Sequence, residues 1–239
     1  MTNSGGARWR RAAVLAAGFL AAFGVGLAVG RGSGSPATAA SNGTAPTNAA
    51  TTVAAGNGGP RSVVAGVPVG YSHDQLGASS AASQFAITLA GPLLLHPDQY
   101  DAAVTEMAVP GTTSALLAAA DQSSTGLEGH LHFQADAKAG SIVSIKTLPL
   151  SYHVVSYTDQ VAVVSVWLLG VMAADGKQPP FEVWSTGSYT LEWSNGDWRL
   201  ASPPTATNGP VPVPEGDSST DPALPDQLKT FSGYTYVAS

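Results

Sequence analysis

His130 and His132 stand two residues apart, with Glu128 before them and Asp136 after. In an extended segment that spacing sets two imidazoles on one face, and a neighbouring carboxylate would complete a three-ligand zinc set. The stretch around them is polar and loop-like, so the expectation is two solvated histidines and no metal. The other eye-catching stretch is Glu192-Trp193-Ser194-Asn195-Gly196-Asp197-Trp198-Arg199-Leu200, where two of the chain's five tryptophans flank an Asn-Gly pair. Left open to solvent, two indoles would gather a ligand; paired across a turn, they would pack. Elsewhere the chemical signals are missing. No glycine-rich phosphate loop occurs, no Gly-x-Ser-x-Gly, and no serine with an evident His and Asp. Cysteine is absent, which excludes disulfides, thiolate metal sites and a Cys nucleophile.

The elements that must position these residues can be read from periodicity. With Asn195-Gly196 as a two-residue type I′ loop, Ser194 faces Asp197, Trp193 faces Trp198, Glu192 faces Arg199 and Leu191 faces Leu200. Two aromatics and two leucines then share one face and an opposite-charge pair takes the other, so the tryptophans read as sheet packing. Period-2 patterning predicts strands over 142–156, 160–173, 181–193 and 197–202, joined by short turns and therefore antiparallel. In the second of these both faces are apolar, which predicts a central strand covered on both sides. Upstream the period is helical. A helix over 74–90 carries Leu76, Ser80, Ser83, Phe85, Ile87 and Leu89 as a broad stripe, and Gly91-Pro92 stops it. Pro97 opens a second helix, with Tyr100, Val104 and Met107 inward and Pro110-Gly111 at its end. Thr112 or Thr113 caps a third, through Leu116, Leu117 and Ala120 to about Gln122.

Composition divides the 239 residues into five parts: a basic head at 1–11, an apolar run at 12–30, a linker at 31–66, a core at 67–203 and a Pro/Gly/Asp-rich tail at 204–239. From Ala12 to Gly30 no charge interrupts the run, and at about 1.5 Å per residue a helix of that length crosses most of a bilayer's hydrocarbon. Arg8, Arg10 and Arg11 precede it and Arg31 alone follows closely, so the positive-inside rule puts the N-terminus in the cytoplasm and the bulk of the chain outside the cell membrane. Ala37-Thr38-Ala39 resembles a signal cleavage site, but it lies well beyond a run longer than a signal core, so a retained anchor is expected. The chain has 16 acidic and 10 basic residues, and four of the basic ones fall within the first 31, so the exported part is distinctly acidic. Such a surface repels phosphate backbones, and no direct nucleic-acid contact is expected. The linker has almost nothing to bury and reads as a tether holding the core on the order of 30 Å from the membrane. Disorder is the expectation for the start of the tail, and Phe231, Tyr234, Tyr236 and Val237 could dock on the core or on a partner.

Helices first, then a curved antiparallel sheet whose last hairpin reads Tyr-Thr-Leu-Glu-Trp-x-x-Gly-Asp-Trp-Arg-Leu, is similar to the NTF2-like superfamily, over roughly residues 70–203. The resemblance implies an α+β cone: N-terminal helices packed on a curved antiparallel sheet of about four strands, here preceded by one transmembrane helix. With a membrane anchor and a linker added, the whole chain resembles the VirB8, TrbF and TcpC group of actinobacterial conjugation and type IV secretion proteins. That implies a non-enzymatic scaffold bound to other membrane-complex proteins, or to copies of itself, with no cofactor. The same superfamily includes modules that bind a small apolar ligand and anchored proteins of mammalian-cell-entry-type transport systems. It also includes enzymes such as ketosteroid isomerase and limonene epoxide hydrolase, which carry carboxylates and tyrosines inside the cone. The residues that would have to serve that purpose are Tyr152, His153, Glu182 and Tyr189. Glu182 and His153 fall on the strand face opposite the obvious core residues, so they are expected to meet solvent and catalysis is not expected.

Overall fold

The computed structural model describes residues 58–212. The basic head, the apolar run at 12–30, the linker up to 57 and the tail beyond 212 lie outside the described residues, and so do the expectations that concern them. The described chain opens with a hairpin, β1 (Ser62–Val64) and β2 (Val67–Val69). Helix α1 (Gln75–Leu89) follows, then a 3₁₀ turn (Pro92–Leu95), α2 (Pro97–Met107), α3 (Thr113–Leu131) and α4 (Phe133–Lys138). Five strands complete it: β3 (Val143–Tyr157), β4 (Val161–Ala174), β5 (Gln178–Ser194), β6 (Asp197–Leu200) and β7 (Thr205–Asn208). The α+β order is therefore helices first and a curved antiparallel sheet after them, in the order β3-β4-β5-β6, with β7 also paired to β5.

Asp74 starts α1 by accepting a hydrogen bond from the Gly77 N–H at 2.7 Å. Ala78, Ala81, Ala82 and Ala86 are fully buried beside Phe85, and these small side chains let the helix lie close against β3 and β4. By length and composition the run Gln75–Leu95 would suit a bilayer too, but most of it is already buried within the fold, as a core helix is. Leu76 departs from the expected stripe: it is 44% exposed, because the sheet meets α1 on the alanine side. The α2 expectation stands, with Tyr100, Val104 and Met107 buried.

Helix α3 runs nine residues past the expected stop at Gln122, to Leu131. Gly126 and Gly129 cost it roughly 2 kcal/mol in intrinsic propensity. Burial of Leu127 and Leu131 returns about 1.5–3 kcal/mol each, so packing wins over local preference.

The four expected strands are β3 to β6, with ends displaced by up to three residues. In β4, Ala162, Val164, Val166, Leu168, Met172 and Ala174 are buried under the helices, while their alternating neighbours from Val163 to Ala173 are half-buried on the opposite face. β3 is an edge strand, and its pairing is interrupted by register shifts after Pro149 and Val154, which blunts it as a template for further pairing. The fifth strand, β7, comes from the stretch whose composition suggests disorder; four residues are too few to display a period. Its partners are Ser185 to Ser188 of β5.

The last hairpin has the expected register, residue for residue, from Leu191 against Leu200 to Ser194 against Asp197. Asn195 (φ 55°) and Gly196 (φ 82°) both take the left-handed region that a type I′ loop requires. Trp198, Leu191 and Leu200 are fully buried. Arg199 departs from the expected charge pair. It stands opposite Glu192 in the ladder, but its guanidinium turns to the end of α2, where Nη2 meets Glu106 Oε1 at 3.1 Å and Nη1 donates to the Glu106 carbonyl oxygen. A carboxylate and a helix-terminal carbonyl together satisfy more of the guanidinium than Glu192 alone would.

Candidate functional site

Between the end of α1, the 3₁₀ turn, α3 and the helix-covered face of the sheet lies a cavity of about 40 Å³. Leu89, Leu94, Leu127 and Leu168 line it, and β7 closes one side with Pro204, Thr205 and Ala206. Its polar side chains are Ser123, Ser185, Tyr189 and Thr205. Ser123 already donates to the Ala119 carbonyl at 2.9 Å. Tyr189 is 5% exposed, and burial, with Tyr100 as a lesser cause, raises its phenol above the usual range. Burial therefore favours its neutral phenol, which can donate a hydrogen bond. Tyr100 Oη donates to the Leu89 carbonyl at 3.0 Å. No carboxylate or imidazole is among the residues lining this cavity. The volume accommodates one or two waters, well short of the roughly 150 Å³ that an apolar cavity needs to take up benzene.

Of the four residues the resemblance singled out, one reaches this space. Tyr189 lines the cavity; Tyr152 pairs with Val166 and is half-buried on the core without lining it. His153 stands opposite Ser165 and Glu182 opposite Val171, both on the far face of the sheet. Glu182 is exposed and accepts a hydrogen bond from Trp184 Nε1 at 3.1 Å. Neither His153 nor Glu182 lines the cavity.

The two histidines are separated by secondary structure. His130 sits in the last turn of α3, while His132 takes a left-handed conformation (φ 56°) between α3 and α4. Glu128 caps α4, its oxygens accepting from the backbone N–H groups of Gln134 at 2.7 Å and Ala135 at 3.0 Å. Asp136 is buried and paired with Lys177. The carboxylates thus have structural partners, and among the described residues no group of three or more His, Asp or Glu stands together as a metal site would. The segment expected to be a loop is helical, and helix geometry turns its side chains apart.

A polar latch that no motif announces joins the two ends of the domain. Asp197, 6% exposed, accepts hydrogen bonds from the backbone N–H groups of Gly70 at 2.7 Å and Tyr71 at 3.0 Å. Next to it, Trp198 Nε1 donates to the Ser72 carbonyl at 3.0 Å, and His73 stacks on Trp193 with centroids 3.9 Å apart and planes 6° from parallel. The Trp193–Trp198 pair is thus covered by the chain that enters the domain. Its one sequence signal was the hairpin register, which put both indoles on one face.

A family model described as "Domain of unknown function (DUF8175)" matches residues 31–221, well over half of the chain. The chain belongs to this family. The DUF8175 span takes in β1 to β7 and all four helices, the latch and the cavity included. No curated protein matches the chain.

Proposed function

We propose that this chain is a membrane-anchored structural protein whose extracytoplasmic domain is an NTF2-like cone, serving assembly of a conjugative transfer or type IV secretion-like complex and not catalysis. The observation that carries the reading is the filled interior. Where catalytic cones carry carboxylates beside their tyrosines, this one keeps about 40 Å³, lined mostly by apolar side chains with three hydroxyls from Ser123, Ser185 and Thr205 and the phenol of Tyr189. A pocket for a drug-sized ligand would need some 300–1,000 Å³. What remains for function is the outer surface, including the sheet face away from the helices. The order of helices and strands and the Gly196-Asp197-Trp198-Arg199-Leu200 hairpin support the superfamily, and the uncharged run at 12–30 supports a single-pass anchor with the N-terminus in the cytoplasm.

Deletion of the gene in its source organism should abolish conjugative transfer or secretion, and complementation with Tyr189→Phe should restore it fully. A Tyr189→Phe protein that is folded and abundant but inactive would contradict a non-enzymatic role. A deletion strain that transfers and secretes normally would remove the complex from the proposal. Protease added to intact protoplasts should digest the domain, and protection there would overturn the topology.

A further inference from the structure

The sheet face turned away from the helices carries an apolar strip. Pairing sets Leu148, Leu169 and Trp184 side by side across β3, β4 and β5, with Val171 and Trp167 flanking Leu169 on β4. Trp167 and Trp184 lie ring to ring at 5.3 Å, both half-buried, and Leu148 is 47% exposed. The chain leaves the domain across this same strip. After β7, Gly209 N–H donates to the Trp184 carbonyl at 2.9 Å, the Gly209 carbonyl accepts from Thr186 Oγ1 at 2.8 Å, and the Pro210 carbonyl accepts from Trp167 Nε1 at 3.0 Å. Those contacts step from β5 inward to β4, so the chain heads over the face and not away from it.

Beyond Pro212, eighteen residues lead to Phe231, and the aromatic residues of the tail are gathered there: Phe231, Tyr234 and Tyr236, followed by Val237. Eighteen residues of random coil would span about 20–25 Å root-mean-square, enough to return from Pro212 to the strip. The strip is roughly 10 Å wide across three strands and about 13 Å long from Trp167 to Val171, from strand spacing and rise. One or two aromatic side chains, at about 150–250 Å² each when fully buried, would cover a strip of that size.

We infer that residues 231–237 dock on this strip in cis, on the apolar surface around Leu148, Leu169 and Trp184. The short tether holds the segment at an effective concentration near millimolar, so even a modest intrinsic affinity keeps the strip covered, and a partner that uses this face must displace it. The inference stands apart from the proposed function and holds whether or not the complex is the one named there.

The chain has no cysteine, so introduced pairs report contact without background. The full-length protein would carry Leu148→Cys with Thr235→Cys, which keeps the tail aromatics, and would be treated with a short bismaleimide. A control would pair Thr235→Cys with Asp121→Cys, an exposed position on α3 on the helix side. The expected result is a cross-linked monomer, at least about tenfold more than the control gives. Ser144→Cys, on the same face, would serve should Leu148→Cys fail to fold. Equal yields from strip and control, or no cross-link, would overturn the inference. Covalent dimers in excess of monomers would overturn it in favour of a second copy on the strip.

Discussion

Asp197 holds the backbone N–H of Tyr71 at 3.0 Å across 126 positions of sequence, and the same carboxylate holds Gly70 at 2.7 Å. The chain entering the domain is thereby fastened to the last hairpin of the sheet. Asp197→Ala would leave buried donors unpaired, each costing about 1–3 kcal/mol, so the domain should lose about 2–4 kcal/mol. Asp197→Asn keeps one acceptor and should recover part of that. An Ala variant that melts at the wild-type temperature would remove the latch.

Two glycine-to-alanine substitutions in helices should act with opposite signs. At Gly77 in α1 a Cβ would stand 2.0 Å from the Ser72 carbonyl oxygen, which is already held by Trp198 Nε1. Backbone must move there, so the usual gain of about 1 kcal/mol is outweighed and a net loss of about 1–3 kcal/mol is expected. At Gly129 in α3 nothing lies within 4 Å. Gly129→Ala should stabilise by about 0.5–1 kcal/mol, read as a rise in the denaturation midpoint at constant slope.

Gly196 has open space around it, but its φ is +82°. Gly196→Val therefore tests conformation alone. It should cost about 1–2 kcal/mol, more than Gly196→Asn, because a β-branched side chain resists the left-handed region and Asn tolerates it. Equal stability of the two variants would argue against the type I′ loop.

Alkaline pH should unfold the domain steeply. Tyr71, Tyr100 and Tyr189 are buried, and burial, with Asp197 beside Tyr71 and Asp101 beside Tyr100 as smaller causes, raises all three phenols above their ordinary range. A neutral phenol favoured in the folded state contributes stability that is whole below the unfolded value near 10 and is lost as pH rises past it. Each such tyrosine should lower stability by about 1.4 kcal/mol per pH unit above that point. Tyr189→Phe should shallow the slope of urea-derived stability against pH between 10 and 11.5; an unchanged slope would mean that Tyr189 ionises in the fold.

Local chemistry was legible from composition and period. Asn-Gly accepts positive φ at two successive positions, which sets a two-residue loop and with it the register of every pair from Ser194–Asp197 to Leu191–Leu200. Alternation marked β3 to β6, and Pro97 marked the start of α2, because strand faces and helix starts are properties of neighbouring residues. The remainder depended on groups far apart in the chain. Helix α3 continues through two glycines because the fold buries Leu127 and Leu131. Arg199 leaves its ladder partner because α2 ends beside it with a carbonyl and a carboxylate. Asp197 is a latch because β2 delivers two N–H groups to it, and β7 is a strand because β5 leaves an edge open alongside β6. The size of the cavity, on which the functional reading turns, follows from how α1, α3 and the sheet close on Tyr189, and no single segment encodes that distance.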